Sequence, residues 1–162
     1  MSPVLQLSPF SHSISPGRRS DRGVAETGDV FAVYTALDET LAALRAAASF
    51  AGPLGATVTL VHFRTVPYAQ PIDAPAGISP IATEAFSQQL ATEGLEVSRR
   101  VYTCRELGSA IRGAVTGTSL VYIGRSRGWW PQSSCRVRRA LEEAGHLVIT
   151  IDPSAVEENT HA

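Results

Sequence analysis

Lysine is missing from this chain: all 14 basic residues among its 162 are arginine. Schiff-base chemistry through a lysine amine is therefore excluded, while planar, bidentate recognition of anions is available. Cysteine is scarce as well. Cys104 and Cys135 are the only two; with no CxxC and no Cys/His spacing suited to zinc, they speak against a disulfide framework or a structural metal and fit a reducing, cytoplasmic setting. His12, His62, His146 and His161 show no metal-binding spacing among themselves. No apolar run reaches the roughly 18 to 20 residues that cross a bilayer, and the N-terminus lacks a basic stretch followed by an apolar one. A soluble, non-secreted protein without a membrane partner is expected. A formal charge of −1 gives no general attraction for nucleic acid. Internal repeats and heptads are absent too.

What is present is enough apolar material, 44% of the residues, for one domain with a substantial core. Residues 1–29 are rich in Ser, Pro, Gly and Arg without sustained apolar period and read as a flexible extension. The α/β domain should occupy 30–152, followed by a flexible tail, 153–162.

The most informative stretch is 119–152. Leu120-Val121-Tyr122-Ile123 is a short apolar run ending at Gly124, as in a strand buried on both faces of a parallel sheet. The loop that follows carries Arg125, Arg127, Gly128, Trp129, Trp130, Ser133 and Ser134. Either serine can cap a helix beginning near Cys135, with Val137, Ala140, Leu141 and Ala144 at helical spacing and Gly145 as its stop. Residues 146–152 form the last strand. In open α/β sheets ligands bind beyond the carboxyl ends of strands, and a helix N-terminus offers N–H groups to an anion. Five arginines (Arg125, Arg127, Arg136, Arg138, Arg139) fall within 125–139, a span without an acid; it reads either as a solvated helix face or as an anion site.

Upstream, residues 30–37 form the first strand. Asp38 is placed to N-cap a helix over 41–50, which the Gly52-Pro53-Leu54-Gly55 stretch should stop, and 57–63 is the second strand. An irregular connection with Pro67, Pro71 and Pro75 leads to Ser79-Pro80, a cap and first-turn pair for a helix ending by Gly94. Residues 95–104 alternate as a half-exposed strand, which implies an edge, and 106–115 form a short helix closed by Gly117. Five strands alternating with four helices, joined by right-handed crossovers, imply a parallel doubly wound sheet with helices on both faces.

Over about 30–152 the chain resembles the universal stress protein family. The resemblance is carried by Leu37-Asp38-Glu39-Thr40 after the first strand, Val61-His62-Phe63 at the end of the second, and Ser134-Cys135-Arg136-Val137-Arg138-Arg139-Ala140-Leu141 before the last. It implies sheet order 3-2-1-4-5, a crevice between the first and fourth strands, ATP or AMP held there in nucleotide-binding members, and a homodimer formed through the last strand. Carried over residue by residue, Asp38 matches an acidic residue near adenosine, Phe63 a residue whose backbone meets adenine, and Gly124 the first glycine of the phosphate loop. That loop continues in the family as Gly-x2-Gly-x9-Gly-Ser/Thr. Here Arg127 stands where the second glycine belongs, Gly128 comes one place late, and Ser134-Cys135 replaces the closing Gly-Ser after an interval three residues shorter. Glycines in such loops let backbone N–H groups reach phosphates. Their loss implies a degenerate ATP loop, with the Arg/Trp segment left to bind an anionic small molecule or a protein partner.

Asp38 can serve as cap and ligand contact at once. Trp129 and Trp130 divide between a lid over the crevice and an exposed interaction anchor. Cys135, at a helix start among arginines, is either a redox-sensitive thiol or an idle one. His62 reads as a satisfied core histidine, and Tyr102, Cys104 and Arg105 as residues that could share the face of the arginine loop. No nucleophile is paired with a base in the sequence, so a non-enzymatic regulatory module is expected.

Overall fold

A computed structural model describes residues 29–73, 77–115, 117–125 and 133–154. The elements run β1 (Val30–Val33), α1 (Leu37–Leu54), β2 (Val58–Thr65), a 3-10 turn (Pro80–Ala82), α2 (Glu84–Thr92), β3 (Val97–Cys104), α3 (Leu107–Ala114), β4 (Leu120–Gly124), α4 (Ser133–Glu143) and β5 (Leu147–Ile151). All five strands are parallel, in the order β3-β2-β1-β4-β5. The doubly wound sheet and the edge position of β3 are thus as expected. Most of the expected terminal extension and tail lies outside the described residues.

Strand alternation divides the core between the two faces. Val30, Ala32, Val58, Leu60 and Tyr122 face α1 and α2, packing with Leu41, Leu44, Ala47, Phe86 and Leu90. Phe31, Val33, Val61, Phe63, Val121 and Ile123 face α3 and α4, packing with Ala110, Ile111, Val137 and Leu141. All four residues of β1 are buried, as suits the central strand of a sheet covered on both sides.

Several boundaries differ from those expected. The first strand ends at Val33, not at Leu37, because Thr35 and Thr40 fold the chain into a helix there. The Thr35 N–H donates to Thr40 Oγ1 at 3.1 Å and the Thr40 N–H to the Ala36 carbonyl at 2.8 Å. Helix α1 therefore starts at Leu37, with Ala36 at its cap position. At the other end it runs through Gly52-Pro53 to Leu54, since a proline in the last turn forfeits a single hydrogen bond. Gly55, at φ 63, ends it, and the Ala56 N–H reaches back to the Ala51 carbonyl at 3.1 Å. Ser79-Pro80 opens only the 3-10 turn. Helix α2 is capped by Thr83, whose hydroxyl accepts from the Phe86 N–H at 3.3 Å. Ser133 and Ser134 lie in the first turn of α4 rather than at its cap.

The sheet is stepped at its carboxyl end. Val33 is level with Val61 and Ile123, yet β2 and β3 remain paired as far as Thr65 and Cys104.

Candidate functional site

The order of the strands reverses between β1 and β4, so the switch point of the sheet lies beyond Val33 and Ile123. On the β1 side this rim is formed by Tyr34, Thr35 and the first turn of α1. Thr35 Oγ1 donates to Glu39 at 2.7 Å, which orients the carboxylate toward the turn. Asp38 is exposed in that first helical turn and makes no cap, contrary to its expected role. Two acids here suit the positive end of the helix.

On the β4 side stand Gly124 and Arg125. A Cβ built on Gly124 would lie 2.2 Å from the Glu39 carbonyl oxygen and 2.5 Å from its carbon. The end of β4 is therefore packed directly against the backbone of the first turn of α1, and glycine is required there whether or not a ligand binds. Arg125 is exposed, and its N–H donates to the Ile151 carbonyl at 2.7 Å, extending the β4–β5 pairing. The two lips thus differ in charge, with Asp38 and Glu39 opposite Arg125.

The remaining candidates are less concentrated. Phe63 is buried on the α3/α4 face and stacks on Tyr102, with centroids 5.9 Å apart. Ser134 is buried and Cys135 is an exposed free thiol. Arg127, Trp129 and Trp130 lie outside the described residues, as do the side-chain contacts of Ser133. The arginine cluster is partly neutralised within its own helix: Arg139 meets Glu143 at 2.9 Å and Arg138 meets Glu142 at 3.9 Å, both four residues on.

Whether Tyr102, Cys104 and Arg105 share a face with the arginine loop falls largely outside the described residues, which stop at Arg125 and resume at Ser133. Their strand is three strand spacings from β4, about 14 Å. Arg105 fastens the connection after β2, donating to the Pro67 and Gln70 carbonyls at 2.8 Å each and lying 5.3 Å from the Tyr68 ring centre. Burial pushes the Cys104 thiol upward, partly offset by a hydrogen bond from Thr65.

A second polar group lies at the same end of the sheet, on the α1/α2 face. His62 Nδ1 is 2.7 Å from Ser79 Oγ, and its ring packs edge-on to Tyr34 at 4.9 Å. Burial, with Arg64 adding to it, lowers the imidazole to about 4, so it is neutral at ordinary pH. His62 is satisfied, as expected, but half-buried. Its partner Ser79 is too far along the chain for any local pattern to reveal. Among the described residues no group of His, Cys, Asp or Glu is arranged to hold a metal ion, and no helix is long and apolar enough to cross a membrane.

A parallel five-stranded sheet with helices on both faces and its switch point between β1 and β4 defines a Rossmann-like α/β protein. No model of a known family matches the chain, and no curated protein is significantly similar to it.

Proposed function

We propose that this chain is a universal-stress-protein-like regulatory module, non-enzymatic, that takes an anionic small molecule or protein segment at the β1/β4 switch point. The observation that carries this reading is Arg125, an exposed guanidinium at the carboxyl end of β4, beside the reversal of strand order. The acidic first turn of α1 and the missing loop glycines disfavour a triphosphate cradle. They leave Asp38 and Glu39 to accept hydroxyl donors while Arg125 and, by sequence, Arg127 meet the anion. A cytoplasmic role in stress response accompanies this reading.

The second reading is an ATP- or AMP-binding protein with a remodelled loop, favoured by the same strand order. Equilibrium dialysis against ATP, AMP and tripolyphosphate, with and without Mg²⁺, separates the two. Tripolyphosphate binding as well as ATP, and loss of both in Arg125→Ala, supports the anion site. ATP or AMP binding far more tightly supports the nucleotide site. Retention by none of the three at millimolar concentration refutes both. Arg125→Ala is preferable to any change at Gly124, which is needed for packing.

We also propose a homodimer through β5. This edge strand, Leu147-Val148-Ile149-Thr150-Ile151, carries no charge, and its alternate residues are half-buried or exposed. Sedimentation showing monomer alone at high concentration would refute the dimer.

A further inference from the structure

The other edge of the sheet is built differently. Strand β3 pairs only with β2 among the described residues. The Val66 N–H donates to the Cys104 carbonyl at 2.8 Å, so the backbone of Cys104 points inward. By the two-residue alternation of a parallel strand Tyr102 and Arg100 do the same, while Arg99, Val101 and Thr103 turn their N–H and C=O groups outward. At the amino end of that row, beside Arg99, lies an open groove of about 690 Å³ between α2 and β3, with Leu90, Ala91, Leu95 and Val97 on its apolar surface and Glu96 and Arg99 at its polar margin.

The charges on this edge are basic and lie on both faces of the strand. Arg99 reaches toward α2, donating to the Ile81 carbonyl at 2.9 Å and Ser87 Oγ at 2.8 Å, both neutral acceptors. Arg100 is exposed on the opposite face. Among the described residues neither pairs with a carboxylate. Charged side chains on an edge strand usually serve to repel other strands. Here two adjacent arginines would set guanidinium against guanidinium if two copies paired through β3, which is unfavourable. A strand bearing adjacent carboxylates meets the opposite situation, with hydrogen-bonding backbone, apolar groove and complementary charge all on one line.

We infer that the β3 edge receives an extended acidic segment of a partner protein as a sixth strand, its neighbouring carboxylates against Arg99 and Arg100 and an apolar side chain in the groove beside α2. This site is independent of the β1/β4 crevice and of the β5 edge. Glu96, at the amino end of the groove, repels acids there and so sets the register toward the arginines.

The capped hexapeptide Val-Thr-Glu-Glu-Thr-Val is a suitable probe on the full chain, compared with a version carrying lysines for the glutamates and with one whose backbone nitrogens are N-methylated. The acidic peptide should slow amide exchange at Arg99, Val101 and Thr103 by at least about ten-fold, and Arg100→Glu should weaken binding by a similar factor. The lysine and N-methylated peptides should not bind. Arg100 is exposed, so its variant should fold, as a thermal melt would verify; Ser98→Glu, also exposed, adds a negative charge on the same face. Unchanged exchange along β3 at about 1 mM peptide, well above the range of specific peptide binding, would overturn the inference. So would undiminished binding to both of these variants. Equal binding of the N-methylated peptide would show attraction by charge alone and refute strand addition.

Discussion

Replacing Gly124 by alanine adds one methyl group to the protein and places it inside the backbone of a neighbouring helix. The new Cβ would stand 2.2 Å from the Glu39 carbonyl oxygen and 2.6 Å from the Glu39 Cβ. Real contacts of this kind do not fall below 3.0 Å, so α1 must withdraw from β4 by a large fraction of an ångström. That helix cannot move alone, because Leu41, Leu44 and Ala47 are locked into the core with β1, β2 and Tyr122. Overpacking of this kind costs about 2 to 3 kcal/mol, or a fall in Tm on the order of 10 °C for a domain of this size. The backbone at Gly124 is not left-handed, so the loss would come from crowding and not from conformation. Differential scanning calorimetry of Gly124→Ala measures it directly. A Tm within about 2 °C of the parent, where surface substitutions fall, would refute the close packing. Gly113→Ala supplies the contrast.

Gly113 lies inside α3 with nothing within 4 Å of an added Cβ, and its alanine variant should gain about 0.5 to 1 kcal/mol in denaturant unfolding. Thr83→Ala removes the cap of α2 and should cost about 1 kcal/mol, seen as a lower urea midpoint with an unchanged slope. The fourth prediction concerns acid. His62 is held at about 4 in the folded protein against an ordinary 6.5, so the unfolded chain takes up the proton first. Its contribution is complete above pH 6.5, declines as pH falls from 6.5 to 4, and is gone below. Discounted for partial exposure it amounts to about 2 kcal/mol. His146, also lowered by burial and accepting from the Ser119 N–H at 3.3 Å, acts in the same direction. Urea melts of the parent and His62→Gln between pH 7 and 4 should show a smaller decline in the variant; parallel declines would contradict the assignment.

The succession of strands and helices was legible because four strands are short apolar runs, the edge strand alternates, and a glycine follows each helix. Gly55, Gly94, Gly117 and Gly145 all have positive φ, and each follows a helix. The end of β1 was not legible. Tyr34-Thr35-Ala36-Leu37 continues the apolar strand pattern, and what bends it is hydrogen bonding among Thr35, Glu39 and Thr40, side chains whose partners depend on the turn already existing. At the candidate site, Gly124 stood out in the sequence, but its reason, the Glu39 backbone, lies across the fold. The arginine cluster was visible, whereas the neutralisation of Arg138 and Arg139 by Glu142 and Glu143 follows from helical spacing just beyond the acid-free span. His62 and Ser79 are separated by a long proline-containing connection, and no local period links them.

The overrun of β2 and β3 past β1 makes a cantilever of the sheet's carboxyl end. Over its last four residues each of these strands has, among the described residues, only the other for a ladder, and a two-stranded ribbon is marginal by itself. What braces it is a set of discrete side-chain struts: Phe63 on Tyr102, His62 on Ser79, Arg105 on the connection above. Fraying should therefore begin at this tip and well below the cost of global unfolding. Protonating His62, near pH 4, leaves Ser79 Oγ free to accept from Nδ1 but places a charge in a half-buried position, so acid loosens the tip while leaving the four-residue core of the sheet intact.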